Sequence, residues 1–429
     1  MSGPTSAWPS SATWAWWTSP VPATRAASSW RATIRGCARI PIRGSTTCRA
    51  SRDAPDMALS VELVTSVEAF ERLRTEWNEL ADAMEFPEIF YRWEWSFLFF
   101  RHCRAGDGLF IVVARNAATG RIAALAPLCL RRTRSFGIGV TVAETIVAGL
   151  ADYQNFLVRA GVHRGRAVNA ILDFLRVHAD RWHVLDLQQF CSRDPTTFQI
   201  VNAAQAHHDW TVRTHMLTPV AVRDLRPGRA IEDTGRLRRI RRRLEALPAR
   251  GLEVRVACSD FETLWPAFRA LHIRTWPGSP LGREKDGKFF EALVASEGMR
   301  GHLDLSVVMS EGKIAAAHFG FIDDRKAYYY MPARDRAFRR DRVGAVLLLA
   351  LVDHYAKTRT KFDFMRTLGA YKTWYTDTID VNYRIVIHAN ASFRAFAYGL
   401  FDVARRFLVE LGLPRALLRL LTGRRPAHR

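Results

Sequence analysis

The sequence predicts an α/β fold with a mixed α+β sheet, built as two lobes in tandem, each a β-meander followed by a crossover helix and a parallel strand. Three observations carry this reading. Residues 303–309, 314–322 and 327–331 are apolar, β-rich runs joined by the polar turns 310–313 and 323–326, the pattern of three antiparallel strands. Residues 343–352 are apolar all round and rich in Leu and Ala, which marks a buried helix, continued by 353–357. The short strand 361–365 comes after that helix. A helix between two strands of one sheet requires a crossover, so those strands lie parallel.

The elements before that stretch come in order. The first 56 residues hold five of the thirteen Trp among Ser, Thr, Ala, Pro and Arg, with only Asp53 and Asp56 as acids and no periodicity; the expectation is a disordered or non-native leader, with Met57 the working start. A first lobe then runs over 57–228. Residues 61–64 form a short strand, and Ser66, followed by Glu68 and Glu71, caps a helix to about Ala81. Residues 90–101 form an aromatic helix whose rings serve core and interdomain packing. Strands at 109–114, 122–130 and 140–147 precede a helix at 164–178 and a strand at 184–187, the same order as the later stretch. Two local matches fall at equivalent points: residues 120–124 (GRIAA) against 312–316 (GKIAA), and Leu185-Asp186-Leu187 against Phe362-Asp363-Phe364. They point to a duplication. An arginine-rich linking helix is expected at 229–250, with Ile240, Leu244 and Leu247 at helical spacing to pack it down. The second lobe covers 251–391, and 392–429 reads as a basic amphipathic tail. That tail either docks on the protein or makes peripheral contact with a membrane surface.

The chain of 429 residues is 48% hydrophobic, enough for full cores, and carries a net charge of +21. Its two ends hold fifteen arginines against four acids, so about half of the excess lies outside the lobes. The lobes show no basic stripe interleaved with stacking aromatics, so no specific nucleic-acid partner is expected. The six Cys have no metal or C-x-x-C spacing, and the His are scattered. A reducing, cytoplasmic location and no metal follow as expectations.

The start of the 343–352 helix is the main candidate for binding. Arg339, Arg340 and Arg342 precede it, and Gly344 lets a ligand approach the backbone, so free N–H groups at Val343, Gly344 and Ala345 and the positive helix end suit a pyrophosphate. Packing relief at a loop-to-helix junction is the other reason for a glycine there. Asp363 and Asp186 are strand carboxylates in apolar surroundings, which would raise their pKa values. Lysine is rare, seven against 56 Arg; Lys372, beside Tyr371 and just past the strand of Asp363, therefore stands out as a compact ammonium bordering an acceptor pocket at the carboxyl end of that strand. His272, Arg274 and Trp276, at the end of a helix beginning near Phe261, are candidates for an acceptor wall.

The order of meander, arginine/glycine loop, helix and parallel strand resembles the core of the GNAT-fold acyltransferases. Phe362-Asp363-Phe364, Gly369, Tyr371-Lys372 and Trp374 are similar to the Asp-Phe-Gly…Gly…Tyr-Lys pattern of the CelD-like, polysaccharide-associated branch, and more distantly to the Fem peptidyltransferases. Asp152-Tyr153 is similar to an Asp-Tyr feature of the same branch. Met365-Arg366 departs from the branch's Gly-Arg or Gly-Gly, and the loop ending at Gly344 lacks the Gln/Arg-x-x-Gly-x-Gly spacing and the Ser-Pro-Gly. The resemblance implies an acyltransferase using acetyl- or another acyl-coenzyme A, with its pyrophosphate at Val343–Ala345 near Arg339 and Arg342. It also implies Asp363, Tyr371 and Lys372 at the chemistry, Asp152, Tyr153, Arg274 and Trp276 around the acceptor, and a sugar, amino sugar or envelope precursor as acceptor. Two other readings stay open: an aminoacyl-tRNA donor, although no heptad run for a Fem-type coiled-coil arm is visible, and a degenerate binding module. The oligomeric state is not legible.

Overall fold

A computed structural model describes residues 58–226, 235–376, 378–389 and 392–410. The leader 1–56, the start of the linking segment and the end of the tail, including its 417–425 stretch, lie outside the described residues.

β1 (Leu59–Val64) forms an edge of the sheet, antiparallel to its one neighbour, β2 (Gly108–Asn116). α1 (Val67–Arg72) is capped by Ser66, whose side chain accepts the Ala69 N–H at 3.1 Å. The single helix expected to Ala81 divides at Leu73, where the N–H turns to Phe70 O in a tight i→i−3 bond, and α2 (Arg74–Asp82) starts afresh. α3 (Trp93–Cys103) carries the aromatic run. β2, β3 (Ile122–Ser135) and β4 (Ile138–Thr145) form the first meander. β5 (Leu157–Val158) takes the part of β3 that β4 leaves free. α4 (Arg164–Val177) crosses over to β6 (Val184–Cys191), parallel to β4. α5 (Thr196–Gln205) and β7 (Trp210–Asp224) complete the first half.

The second lobe repeats the plan. α6 (Gly235–Ala246) is the arginine helix, held down by buried Leu237 and Ile240. After β8 (Leu252–Arg255) come α7 (Phe261–Thr275), α8 (Glu284–Ala295) and the short α9 (Glu297–Arg300). β9 (Leu303–Ser310), β10 (Lys313–Ile322) and β11 (Lys326–Arg334) are the second meander. α10 (Val343–Tyr355) then crosses to β12 (Lys361–Arg366), parallel to β11 as expected. β13 (Thr378–Ala389) and α11 (Phe393–Glu410) end the described chain.

All the strands join one mixed sheet in the order β1-β2-β3-β4-β6-β13-β7-β12-β11-β10-β9-β8, with β5 beside β3. The expected boundaries at 228 and 391 do not separate the lobes in space. β7, from the first half of the chain, pairs with β12 of the second lobe, while β13, from the second half, pairs with β6 of the first. β13 and β7 pair with each other and weld the lobes. Such an exchange is invisible to local periodicity because every strand keeps its alternation. The matched segments do occupy equivalent places: Glu144↔Asp186 and Tyr328↔Asp363 are each the last parallel pair before the strands part.

Strand alternation decides which face each site residue meets. Phe362 and Phe364 pack under α10, whose Val346, Leu347, Leu349 and Leu351 are buried, so Asp363 points to the opposite face. That face carries the interlobe core of Phe90, Trp95, Phe289 and Tyr330. Gly320 is required by packing: a Cβ there would lie 2.2 Å from Tyr328 O across the β10 bulge.

Candidate active site

β11 and β12 pair only over Lys326↔Lys361, Ala327↔Phe362 and Tyr328↔Asp363, although β11 continues to Arg334. Beyond Asp363 the two strands part. At the parting, Met365 and Thr367 take left-handed φ values of 62° and 71°, which bend β12 out of register with β7. In the first lobe the corresponding split is closed by the chain itself: Gln154 forms a parallel bridge to Phe190, and its N–H donates to Gln189 O at 2.9 Å.

The carboxyl end of β11 leads into the arginine loop. Asp335 caps a 3₁₀ turn (Arg336–Asp341), and Arg342 adopts a left-handed φ of 53° immediately before α10. For a non-glycine residue that conformation costs about 1 kcal/mol. The connection is braced from outside, with Arg243 donating to Arg340 O at 2.9 Å and Arg250 paired with Asp341 at 2.6 Å. The side chains of Arg336, Arg339, Arg340 and Arg342 are exposed and make no ion pair among the described residues. Ala345 and Val346 N–H bond Arg342 O, whereas the Val343 and Gly344 N–H groups have no partner among the described residues. The space before Gly344 is open, since a Cβ would meet only Arg334 Cδ at 3.7 Å. Crowding does not account for this glycine.

Arg274 and Trp276 are both engaged with the end of β11 and the start of the arginine loop. Arg274 pairs with Asp335 at 3.2 Å, and the Trp276 indole N–H donates to Pro332 O at 2.6 Å. Both brace the β11–α10 connection, on the side of the arginine loop. His272 is buried against Ser279 Oγ at 2.8 Å, and burial pushes its imidazole down to about 3, so it stays neutral.

The loop of Asp152 and Tyr153 comes from the first lobe and lies against β12 of the second. The Tyr153 hydroxyl donates to Asp363 Oδ2 at 2.6 Å. Asp152 holds the Arg366 Nε at 2.6 Å and the Arg366 backbone N–H at 3.0 Å, and Tyr330 donates to Leu150 O at 2.8 Å. Arg366, which follows the departure at Met365, thus has a specific carboxylate partner. Asp363 also accepts the Met365 N–H at 2.9 Å and lies 3.5 Å from the Lys326 ammonium. Lys326 in turn bonds both oxygens of Glu88, at 2.8 and 2.7 Å, and Glu88 takes Arg193 at 2.7 Å. Asp363 is therefore an acceptor in a buried, charged, interlobe network rather than an isolated carboxylate among apolar groups. Sequence reasoning misses Glu88, Arg193 and Lys326. The rarity of lysine is the one available signal, and it points equally to all seven.

Lys372 needs the plainest correction. The residue is 3% exposed, and its ammonium donates to Phe364 O at 2.5 Å and Arg366 O at 2.7 Å, with Met365 O at 3.4 Å. It is a clamp on the bent end of β12 rather than an oxyanion donor facing an acceptor. Burial pushes the ammonium down, Asp152 and Asp363 pull it back, and it rests at about 8. Tyr371 is half-buried, and burial holds its phenol well above the ordinary value, in the protonated form.

Asp186, the first-lobe counterpart of Asp363, also differs from expectation. Burial would raise its pKa, but Arg384 bonds both oxygens at 2.7 Å and the Tyr398 hydroxyl adds a third bond at 2.7 Å, which brings the carboxyl down to about 2. Its place is a structural ion pair beneath α11.

Residues 234–373, from the linking segment through α6 to just past Lys372, match the acetyltransferase (GNAT) domain family. No curated protein sequence matches the chain. Among solved structures, FemX is similar at 10% identity with a TM-score of 0.51, covering 75% of this chain and 96% of that one. A tandem GNAT protein from the clavulanic acid biosynthesis pathway is similar at 14% identity and a TM-score of 0.42, over 76% of this chain and 98% of that one. The C-terminal domain of a putative lysylphosphatidylglycerol synthetase from Agrobacterium fabrum is similar at 12% identity and a TM-score of 0.46, over 79% and 97%. The chain thus contains a GNAT acetyltransferase domain, and its overall fold is shared with FemX. Its GNAT acetyltransferase domain is the second lobe, the one with the arginine loop and the parted strands.

Proposed function

We propose that the protein moves an acyl group, acetyl in the simplest case, from a coenzyme A thioester to an amine or hydroxyl of a sugar, amino sugar or envelope-polysaccharide precursor, as in the CelD-like branch. The observation that carries the donor is the start of α10: two N–H groups without partners among the described residues, open space before Gly344, and four exposed arginines around them. In this reading the Val343 and Gly344 N–H groups meet the pyrophosphate, Ala345, whose N–H is taken by Arg342 O, lines the site without donating, and Arg339 and Arg342 supply charge. The thioester lies toward the parted ends of β11 and β12. Tyr371, whose phenol is protonated, serves in this reading as a hydrogen-bond donor to the leaving sulfur. Asp152 and Tyr153 act by fixing the first-lobe loop at the edge of the acceptor space, and Asp363 by anchoring Tyr153.

An aminoacyl-tRNA donor is the second reading. It is favoured by Arg238, Arg239 and Arg242, exposed on α6 beside α10, and by the FemX-like fold. Thiol release from acetyl-coenzyme A, measured with glucosamine, glucose and short oligosaccharides as acceptors, separates the readings. Acceptor-dependent release supports the first. Absence of release with every short-chain thioester, together with transfer from charged tRNA, establishes the second.

A further inference from the structure

α11 has two unlike faces. The inner face docks on β4 and β13 through buried Ala395 and Tyr398 and through Asp402, both of whose oxygens accept from Arg384 Nη1 at 2.9 Å and which is closed in further by Arg405 and Arg406. The opposite face carries Phe393, Phe396, Leu400, Val403 and Phe407, spaced three and four residues apart and 70%, 66%, 53%, 48% and 61% exposed. Five large apolar side chains within roughly 80° of helical arc, with nothing among the described residues packed over them, form a continuous stripe rather than scattered surface residues. Phe136, at the tip of the β3–β4 hairpin and 40% exposed, extends the patch through an edge contact with Phe401 at 5.6 Å.

The charges nearby select the occupant. Arg132 and Arg134 on the same hairpin and Arg394 on the helix are exposed, while Asp402, the one acid among the described side chains of α11, is turned inward and neutralised. A second copy seated on this stripe would bring two cationic rims together in a chain of net charge +21. An anionic lipid surface accepts both features, with the aromatic stripe at the headgroup–acyl boundary and the arginines against the phosphates.

We propose that α11 is a docked in-plane anchor that holds the first lobe on an anionic bilayer. The inference is independent of the acyl-transfer reading. No described helix is long and apolar enough to cross a membrane, so the contact made by α11 is with one face of the bilayer. The docking contacts lie wholly on the inner face, and the stripe can therefore be altered without touching them.

Flotation of the full chain with phosphatidylcholine vesicles, with and without phosphatidylglycerol, tests this. The wild type should float with the anionic vesicles and not with the neutral ones, and raised salt should release it. Phe396→Asp with Leu400→Asp should lower the bound fraction roughly tenfold or more at unchanged far-UV dichroism; Phe393→Ser with Phe407→Ser is the milder pair should the first misfold. Lack of flotation by the wild type, or unchanged flotation of a folded stripe variant, overturns the proposal. So does a wild-type dimer that the stripe variant converts to monomer while neither binds vesicles.

Discussion

Replacing Lys372 by Met removes the donor shared by three backbone acceptors at the bent end of β12 while keeping an unbranched side chain. Each charge-assisted bond contributes about 2 kcal/mol, and the gross loss is therefore roughly 5 kcal/mol with the 3.4 Å contact counted weakly. Against this stands the cost of burying the ammonium. A fall from 10.5 to about 8 corresponds to roughly 3 kcal/mol. The net cost at pH 7 is then about 2 kcal/mol, read as a lowered urea midpoint at unchanged slope. The pH dependence has a definite sign. Between about 8 and 10.5 the unfolded chain holds the Lys372 proton and the native protein does not, so the wild type gains on the variant as pH rises through that window. The deficit of Lys372→Met should grow by up to roughly 3 kcal/mol across that window. Equal midpoints at pH 7, or a deficit that shrinks above pH 8, would refute the clamp.

Three other outcomes are expected. Asp186→Asn leaves Arg384 partly unpaired beneath α11 and should cost about 3 kcal/mol in urea unfolding at pH 7. In the wild type, the stability from Asp186 is fully present above the ordinary carboxylate value of 3.8 and is lost as pH falls through about 2, so acid titration should narrow the gap to the variant there. Tyr153→Phe removes the bond to Asp363 and should lower turnover roughly tenfold with donor affinity unchanged, as measured by initial rates and direct titration; equal turnover would detach the first-lobe loop from the chemistry. Leu349→Ala opens a cavity under α10 and should cost about 3 kcal/mol, checked by thermal and urea unfolding.

The repeated order of meander, crossover helix and parallel strand is legible because each element announces its own period and its own turns. The 303–365 stretch is found within a residue or two at most ends. What escapes is long-range. The exchange of β7 and β13 depends on which free edge each strand meets, and nothing in residues 210–224 or 378–389 encodes a partner more than 130 positions away. Asp363 is found from its apolar neighbours, but its environment is set by Glu88, Tyr153, Arg193 and Lys326, which the fold brings in from separate segments. Lys372 stands out in the sequence as unusual. Its role is not legible there, because the carbonyls it serves come from a bend that only the left-handed Met365 and Thr367 create. The amphipathic tail leaves docking and membrane contact as alternatives. Over 393–407 one face of α11 docks and the opposite one carries exposed apolar side chains with nothing among the described residues over them.

Calorimetric titration of acetyl-coenzyme A into the wild type and into Gly344→Asp bears on the central claim most directly. The side chain at 344 would enter open space and carry a negative charge to the point where two N–H groups lack partners among the described residues, so the fold should survive and the pyrophosphate should not be accepted. The account predicts saturable binding by the wild type and affinity weakened by roughly tenfold or more, about 1.4 kcal/mol, in the variant. A wild type that gives no heat, or a folded Gly344→Asp that binds equally well, would contradict the placement of a coenzyme A donor at the start of α10.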